Sequence, residues 1–163
     1  MAAMASPPEL DLRAELSALP AVRSWAETVA KTAGLCDTLE TFLLAAVDEA
    51  AANVIEHGYQ GLPAGHLRLA ALVEEGRILV RIEDEGSAFD SSRGGGPLDL
   101  DWRARWNLGR GLGRHLIRRC VHQVLYERLP QGTNRLTLFF KTDSEASEGR
   151  GPNATMGKNG EPR

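Results

Sequence analysis

Hydrophobic residues recur at helical spacing as far as residue 57 and at every second position from residue 66, and this change of period most limits what the chain can become. In "LPAVRSWAETVAKTAGL" (19–35) the inward stripe is Val22, Trp25, Ala26, Val29 and Ala30, and Gly34 suits a C-terminal cap. The spacing predicts a second helix from about Asp37 to His57, with Asp37 as N-cap, Gly58 as stop, and Leu39, Leu43, Ala46, Val47, Ala50 and Val54 facing the core. Then Leu67, Leu69, Ala71 and Val73 alternate up to the turn "EEGR", and Ile78, Val80 and Ile82 alternate after it, which predicts an antiparallel hairpin. "ELDLRAEL" near the start reads as an edge strand, "LGRHLIRRCV" (about 112–121) as a further helix, and "QVLYERL", "PQGT" and "NRLTLFFK" as a second hairpin. Helices and hairpins in this order do not alternate as βαβ units. They predict an α+β two-layer sandwich, with helices on one face of a mainly antiparallel, mixed sheet.

Composition removes several classes of function. The 163 residues fit one domain with a proper core, and no apolar run approaches the ~20 residues of a membrane span. The start, "MAAMASPPELDL", has neither the basic cluster nor the apolar stretch of a secretory signal. Cys36 and Cys120 stand alone, which suggests neither a metal site nor a disulfide framework and points to the cytoplasm. Net charge is −3 but uneven: residues 1–60 hold nine acids against three basic residues, whereas 103–119 hold six arginines and no acid. That basic block reads as a solvated helix face or as a phosphate-neutralising surface. An acidic chain with no aromatic platform beyond Trp102 and Trp106 argues against direct nucleic-acid binding. The segment after Lys141 has no core-forming residues, so 1–7 and 143–163 read as disordered termini.

Four short stretches carry chemistry. In "DEAAANVIEHGY" (48–59), Glu49, Asn53 and His57 advance ~40° per step on a regular helix and share one arc of it. The stripe reads either as solvated surface or as the wall of a polar cleft, where Glu49 accepts a proton and Asn53 ligates a hard cation. "RIEDEGSAFD" (81–90) sets Asp84 at the end of a buried strand. Such an Asp caps its own turn, or it accepts a hydrogen bond from an exocyclic amine such as adenine N6, with Gly86 letting backbone approach the flat base. "NLGRGLGRHLI" (107–117) places Gly109, Gly111 and Gly113 ahead of a helix, where freed N–H groups and the helix N-terminus suit phosphate. It is neither the dinucleotide fingerprint, since Arg114 stands where glycine is needed, nor a Walker loop. "QGTNRL" (131–136) is a turn between strands, or a means of setting Thr133 against the base.

The order and spacing of these four stretches resemble the GHKL superfamily of histidine-kinase-like ATPases with its Bergerat fold. More narrowly, "LLAAVDEAAANVIEHGY", "DEGSAFD", "GRGLGRHLIRRCVHQVLYER" and "GTNRLTLFFK" resemble the bacterial anti-sigma-factor serine/threonine kinases. The resemblance covers about 8–142, taken as the ATPase domain. It implies ATP and Mg²⁺ as cofactors, with Glu49 as general base toward a serine hydroxyl and Asn53 as Mg²⁺ ligand beside His57. Asp84 would read adenine, with Gly86 and Thr133 beside it, and Ala88 stands where the family's second glycine is expected. Gly109, Gly111 and Gly113 would cradle phosphate with Leu112 between them, Arg110 and Arg114 are added on position alone, and 91–108 would form the ATP lid. Arg23 matches an arginine used toward partners. The implied partners are a STAS-domain anti-sigma-factor antagonist carrying the target serine, a sigma factor, and a second copy in a homodimer. No phospho-acceptor histidine helix precedes the domain, which argues against a complete sensor histidine kinase.

Overall fold

The structure, a computed structural model, describes residues 7–88 and 121–142. Its elements are β1 (Leu10–Arg13), a 3₁₀ turn (Leu16–Ala18), α1 (Leu19–Thr32), α2 (Asp37–Asn53), a π-helical turn (Val54–Gly58), β2 (His66–Glu74), β3 (Arg77–Asp84), β4 (Val121–Arg128) and β5 (Asn134–Lys141). The strands form one sheet in the order β1-β2-β3-β5-β4, and among the described residues every pairing is antiparallel. Both hairpins and the edge position of β1 are as the alternation predicts. Val121, expected from the sequence as the end of a helix, instead opens β4; the rest of that predicted helix, the GxGxG stretch and residues 1–6 and 143–163 lie outside the described residues, while Pro7, expected in the disordered N-terminus, is described and buried.

Burial follows the two periods. On the inner sheet face Leu67, Leu69, Ile78, Val80, Ile82, Leu136 and Leu138 are buried. Against them pack Val22, Trp25, Ala26, Val29 and Ala30 of α1, all as expected, and Phe42, Leu43, Ala46, Val47, Ala50 and Ala51 of α2. Phe42 and Ala51 widen the predicted stripe of α2, while Leu39 is only partly buried. The small side chains at 46, 50 and 51 let this helix lie close to the sheet. At about 25 cal/mol per Å² of apolar surface, this shared core is the main stabilising contribution of the fold.

Helix ends show which local signals won. Gly34 takes φ +63° and its N–H bonds Lys31 O at 3.1 Å, while Leu35 N bonds Ala30 O at 3.1 Å, the paired bonds of a Schellman stop. At the start of α2 the cap is Cys36, not Asp37, and Asp37 occupies the first helical turn with Glu40, where the helix dipole favours carboxylates. The α-helix also ends four residues earlier than its pattern predicts, at Asn53, and continues as the wider π turn Val54–Gly58. No helix among the described residues is long and apolar enough to cross a membrane.

Candidate functional site

The end of the central strand β3 gathers the predicted Asp84, Gly86 and Thr133. Asp84 is buried, 6% exposed, and its register partner across the β3–β5 ladder is Asn134. Asp84 Oδ1 accepts two hydrogen bonds of 2.8 Å, from the N–H of Gly86 and from Nδ2 of Asn134. Burial pushes the Asp84 carboxyl above its ordinary value, opposed by the Asn134 amide, the Gly86 N–H and the charge of Arg128. Thr133 lies one residue beyond that pair; it is also buried, and its carbonyl accepts the N–H of Leu129 at 2.8 Å in the β4–β5 turn.

Gly86 serves a contact that its sequence context does not show. A Cβ on it would lie 2.4 Å from the carbonyl oxygen of Gly58 and 2.7 Å from the carbonyl carbon. The backbone of the π turn therefore rests directly on the chain leaving β3, and Ser87 N–H clamps it by bonding Gly58 O at 2.8 Å. Tyr59, the next residue, accepts the N–H of Glu85 and donates to His66 O, both at 2.8 Å. Burial raises the phenol of Tyr59 above its usual value, the Glu85 N–H offsetting part of this. These contacts join the end of the Glu49/Asn53 helix to the strand end that carries Asp84.

The polar stripe runs across two kinds of helix and differs in exposure along its length. Glu49 and Asn53 remain one turn apart on α2 and are half-buried, whereas His57 sits in the π turn and is exposed. Ala88 is exposed at the edge of the described chain, and Gly109, Arg110, Gly111, Leu112, Gly113 and Arg114 lie outside the described residues. Arg23 lies beside the acidic end of the stripe, donating to Asp48 Oδ2 at 2.7 Å.

Residues that sequence reasoning passed over complete the site. Asn134 Oδ1 accepts Tyr126 OH at 2.7 Å and Arg128 Nη1 at 2.6 Å, and Arg128 Nη1 also donates to Gly86 O at 3.1 Å. One signal was available for Asn134: a small amide is out of place as the first residue of a strand rich in Leu and Phe. A polar cleft of about 650 Å³ opens nearby on the sheet face away from the helices. Thr133 and Arg128 line it too; Arg135 pairs with Glu83 at 2.7 Å, Arg68 with Glu85 at 3.5 Å, and Arg128 is turned to Asn134 and Gly86 O, so it is a weaker candidate than the Asp84 end.

Residues 12–140 match the family described as the histidine kinase-like ATPase domain. The chain belongs to that family. Its similarity runs toward the anti-sigma-factor kinase branch: it is 30% identical over 99 residues to the serine-protein kinase RsbW of Listeria monocytogenes. That alignment spans 59% of this chain and 63% of the relative, somewhat less than two thirds of the latter's length. A crystal structure of RsbU and RsbW domains from a Mycobacterium tuberculosis protein shares the fold, with a TM-score of 0.53 at 20% identity, over 82% of this chain and 32% of that one. The α+β architecture, with an antiparallel sheet of five strands and two helices on one face among the described residues, agrees with it.

Proposed function

We propose that the chain, over 8–142, is an anti-sigma factor with serine/threonine kinase activity that binds Mg-ATP and phosphorylates a serine on a STAS-domain antagonist. Membership of the ATPase family supports nucleotide binding, and the similarity to RsbW supports the kinase reading. The observation that carries the proposal is the seating of the Glu49/Asn53 helix end on the Asp84 strand end through Gly58 and Gly86. That seating brings the helix that carries Glu49 and Asn53 to the strand end that carries Asp84, and an acid, an amide oxygen and a buried carboxylate suit phosphotransfer from a purine nucleotide.

The residues present fit both cofactors. A purine is read by an acceptor held out of water, and Asp84 is one. Among the described residues no cluster of three acidic, histidine or cysteine side chains forms a metal cage. Mg²⁺ does not need one, since it is commonly held by one or two protein oxygens together with phosphates and waters, and Asn53 offers such an oxygen. When bound, Mg-ATP supplies the phosphoryl group. Glu49, half-buried and one turn from Asn53, takes the proton from the attacking serine hydroxyl. His57 and Thr133 would flank the nucleotide; the resemblance also implies an ATP lid at 91–108 and a phosphate loop at Gly109, Gly111 and Gly113, all outside the described residues. Sequestration of a sigma factor by a homodimer follows the same resemblance. Phosphorylation of the antagonist adds about −1.5 to −2 charge at an interface and so exchanges one partner for the other.

The test is phosphotransfer. With labelled ATP and a candidate antagonist the wild-type chain forms phosphoserine; Glu49→Ala abolishes transfer while keeping most nucleotide affinity, and Asn53→Ala weakens Mg-ATP binding itself. Tight ATP binding with no transfer to any encoded antagonist would replace this reading by that of a regulatory module that sequesters its partner without chemistry. The reverse pattern in the two variants would overturn the assignment of Glu49 and Asn53.

A further inference from the structure

The hydrogen bonds around Asp84 are one-sided. Both of those that the described residues make to its carboxylate fall on Oδ1, from Gly86 N–H and Asn134 Nδ2. An oxygen already holding two fixed donors orients the whole carboxylate and leaves recognition to Oδ2. The Asn134 amide cannot turn over to relax this arrangement. Its carbonyl faces two donors, Tyr126 OH at 2.7 Å and Arg128 Nη1 at 2.6 Å. Its NH₂ group faces three acceptors: Asp84 Oδ1, Ser87 O at 3.1 Å and Gly86 O at 3.3 Å. A flipped amide would set its NH₂ against the Arg128 guanidinium and its oxygen against three acceptor oxygens, losing every one of these bonds except that to Tyr126, whose hydroxyl can turn to accept. Arg128 closes the ring by also bonding Gly86 O at 3.1 Å.

We infer that Asn134, locked by Tyr126 and Arg128, is a positioning residue for base selectivity: it aims Asp84 so that its second oxygen accepts from the 6-amino group of a purine and rejects a 6-oxo group. This rests on the nucleotide reading proposed above. The chemistry follows from the donor pattern. A carboxylate that receives N–H bonds on one oxygen is favoured in its ionised form, and an ionised carboxylate only accepts. Buried and left without those donors, the same group would take up a proton more readily and could then donate to a 6-oxo purine as well. Asn134 therefore decides which exocyclic group the site selects, although it lies opposite Asp84 on the neighbouring strand and needs no contact with the base.

The experiment is a comparison of three nucleotides on the full chain by calorimetry: ATP, inosine triphosphate (6-oxo) and purine riboside triphosphate (no 6-substituent). A hydrogen bond to a charged group predicts that wild type prefers ATP over each of the others by roughly tenfold to a hundredfold. In Asn134→Ala the ATP preference falls by about fivefold or more, with inosine triphosphate gaining relative to ATP. A residue that only supports the fold would weaken all three alike and leave the ratios unchanged, which would overturn the inference. Tyr126→Phe removes one donor onto Asn134 and keeps the ring, so its ratio moves in the same direction by less. Should Asn134→Ala not fold, Tyr126→Phe decides: a reduced preference supports the inference and an unchanged one overturns it. Equal affinity of wild type for all three nucleotides also overturns it, while leaving nucleotide binding standing. Binding of none of them overturns the nucleotide reading and this inference together.

Discussion

Gly86→Ala tests the contact on which the functional reading depends. Gly86 is not among the glycines with left-handed backbone, so the substitution is not opposed by its dihedral angles. It is opposed by space: the new Cβ would sit 2.4 Å from Gly58 O, 2.7 Å from Gly58 C and 3.0 Å from Asp84 Oδ1. The nearest obstacles are backbone atoms, so no side chain can swing away and the π turn must lift from β3 by about half an ångström or more. Overpacking of this kind costs about 1–3 kcal/mol, and loss of the Ser87–Gly58 hydrogen bond adds about 1 kcal/mol. The expected loss is therefore roughly 2–4 kcal/mol in urea unfolding at neutral pH, with an unchanged denaturant slope. Gly34→Ala is the calibrating variant, because its Cβ would meet nothing within 4 Å while its φ of +63° imposes only local strain. That variant should lose about 1 kcal/mol. If Gly86→Ala lost no more than Gly34→Ala, the tight seating of the helix end on the Asp84 strand end would be refuted, and with it the main support for one continuous site.

Two further outcomes follow from the same region. The raised pKa of Asp84 means that the folded chain binds its proton more tightly than the unfolded chain, whose value is near 3.8. This group's contribution is then fully present below that value and is lost as pH rises through the folded-state pKa. Relative to Asp84→Asn, wild type should gain stability as pH falls from neutrality toward 3.8; a pH-independent difference between the two unfolding curves would refute it. Gly65→Ala would place a Cβ 2.7 Å from the Tyr59 ring and hydroxyl. It should displace the phenol from Glu85 N and His66 O at a cost of about 1–3 kcal/mol, read as a lower denaturation midpoint and an upfield or downfield move of the Glu85 amide resonance. An unmoved resonance would show that Tyr59 does not hold this strand end.

Much of the fold was legible because it depends on periodicity. Alternation at 67–73 and 78–82 predicted the first hairpin, and spacing at 22–30 predicted every buried residue of α1. Both signals are local: one face of each element must leave water, whatever it packs against. The order of the four motifs was legible too, and it pointed to the ATPase family that residues 12–140 match. It also marked Asp84, Gly86 and Thr133, which the fold brings to one strand end.

What periodicity cannot carry is what meets what across the chain. The sequence contains two hairpins, yet only the folded sheet decides that β3 pairs with β5, not β4, and so sets Asp84 opposite Asn134, fifty positions away. From that register come the fixed amide, the Tyr126 and Arg128 bonds that hold it, and the one-sided hydrogen bonding of Asp84. The π turn is likewise a tertiary result. The pattern at 49, 53 and 57 suits an unbroken helix, whereas the folded chain widens into a π turn at Val54–Gly58, sets Gly58 on Gly86 and has His57 exposed. The sequence by itself determined which faces are apolar and which residues carry chemistry, because both are properties of single side chains and their spacing. The tertiary structure alone decided their partners, because steric fit and hydrogen-bond geometry exist only between surfaces already brought together.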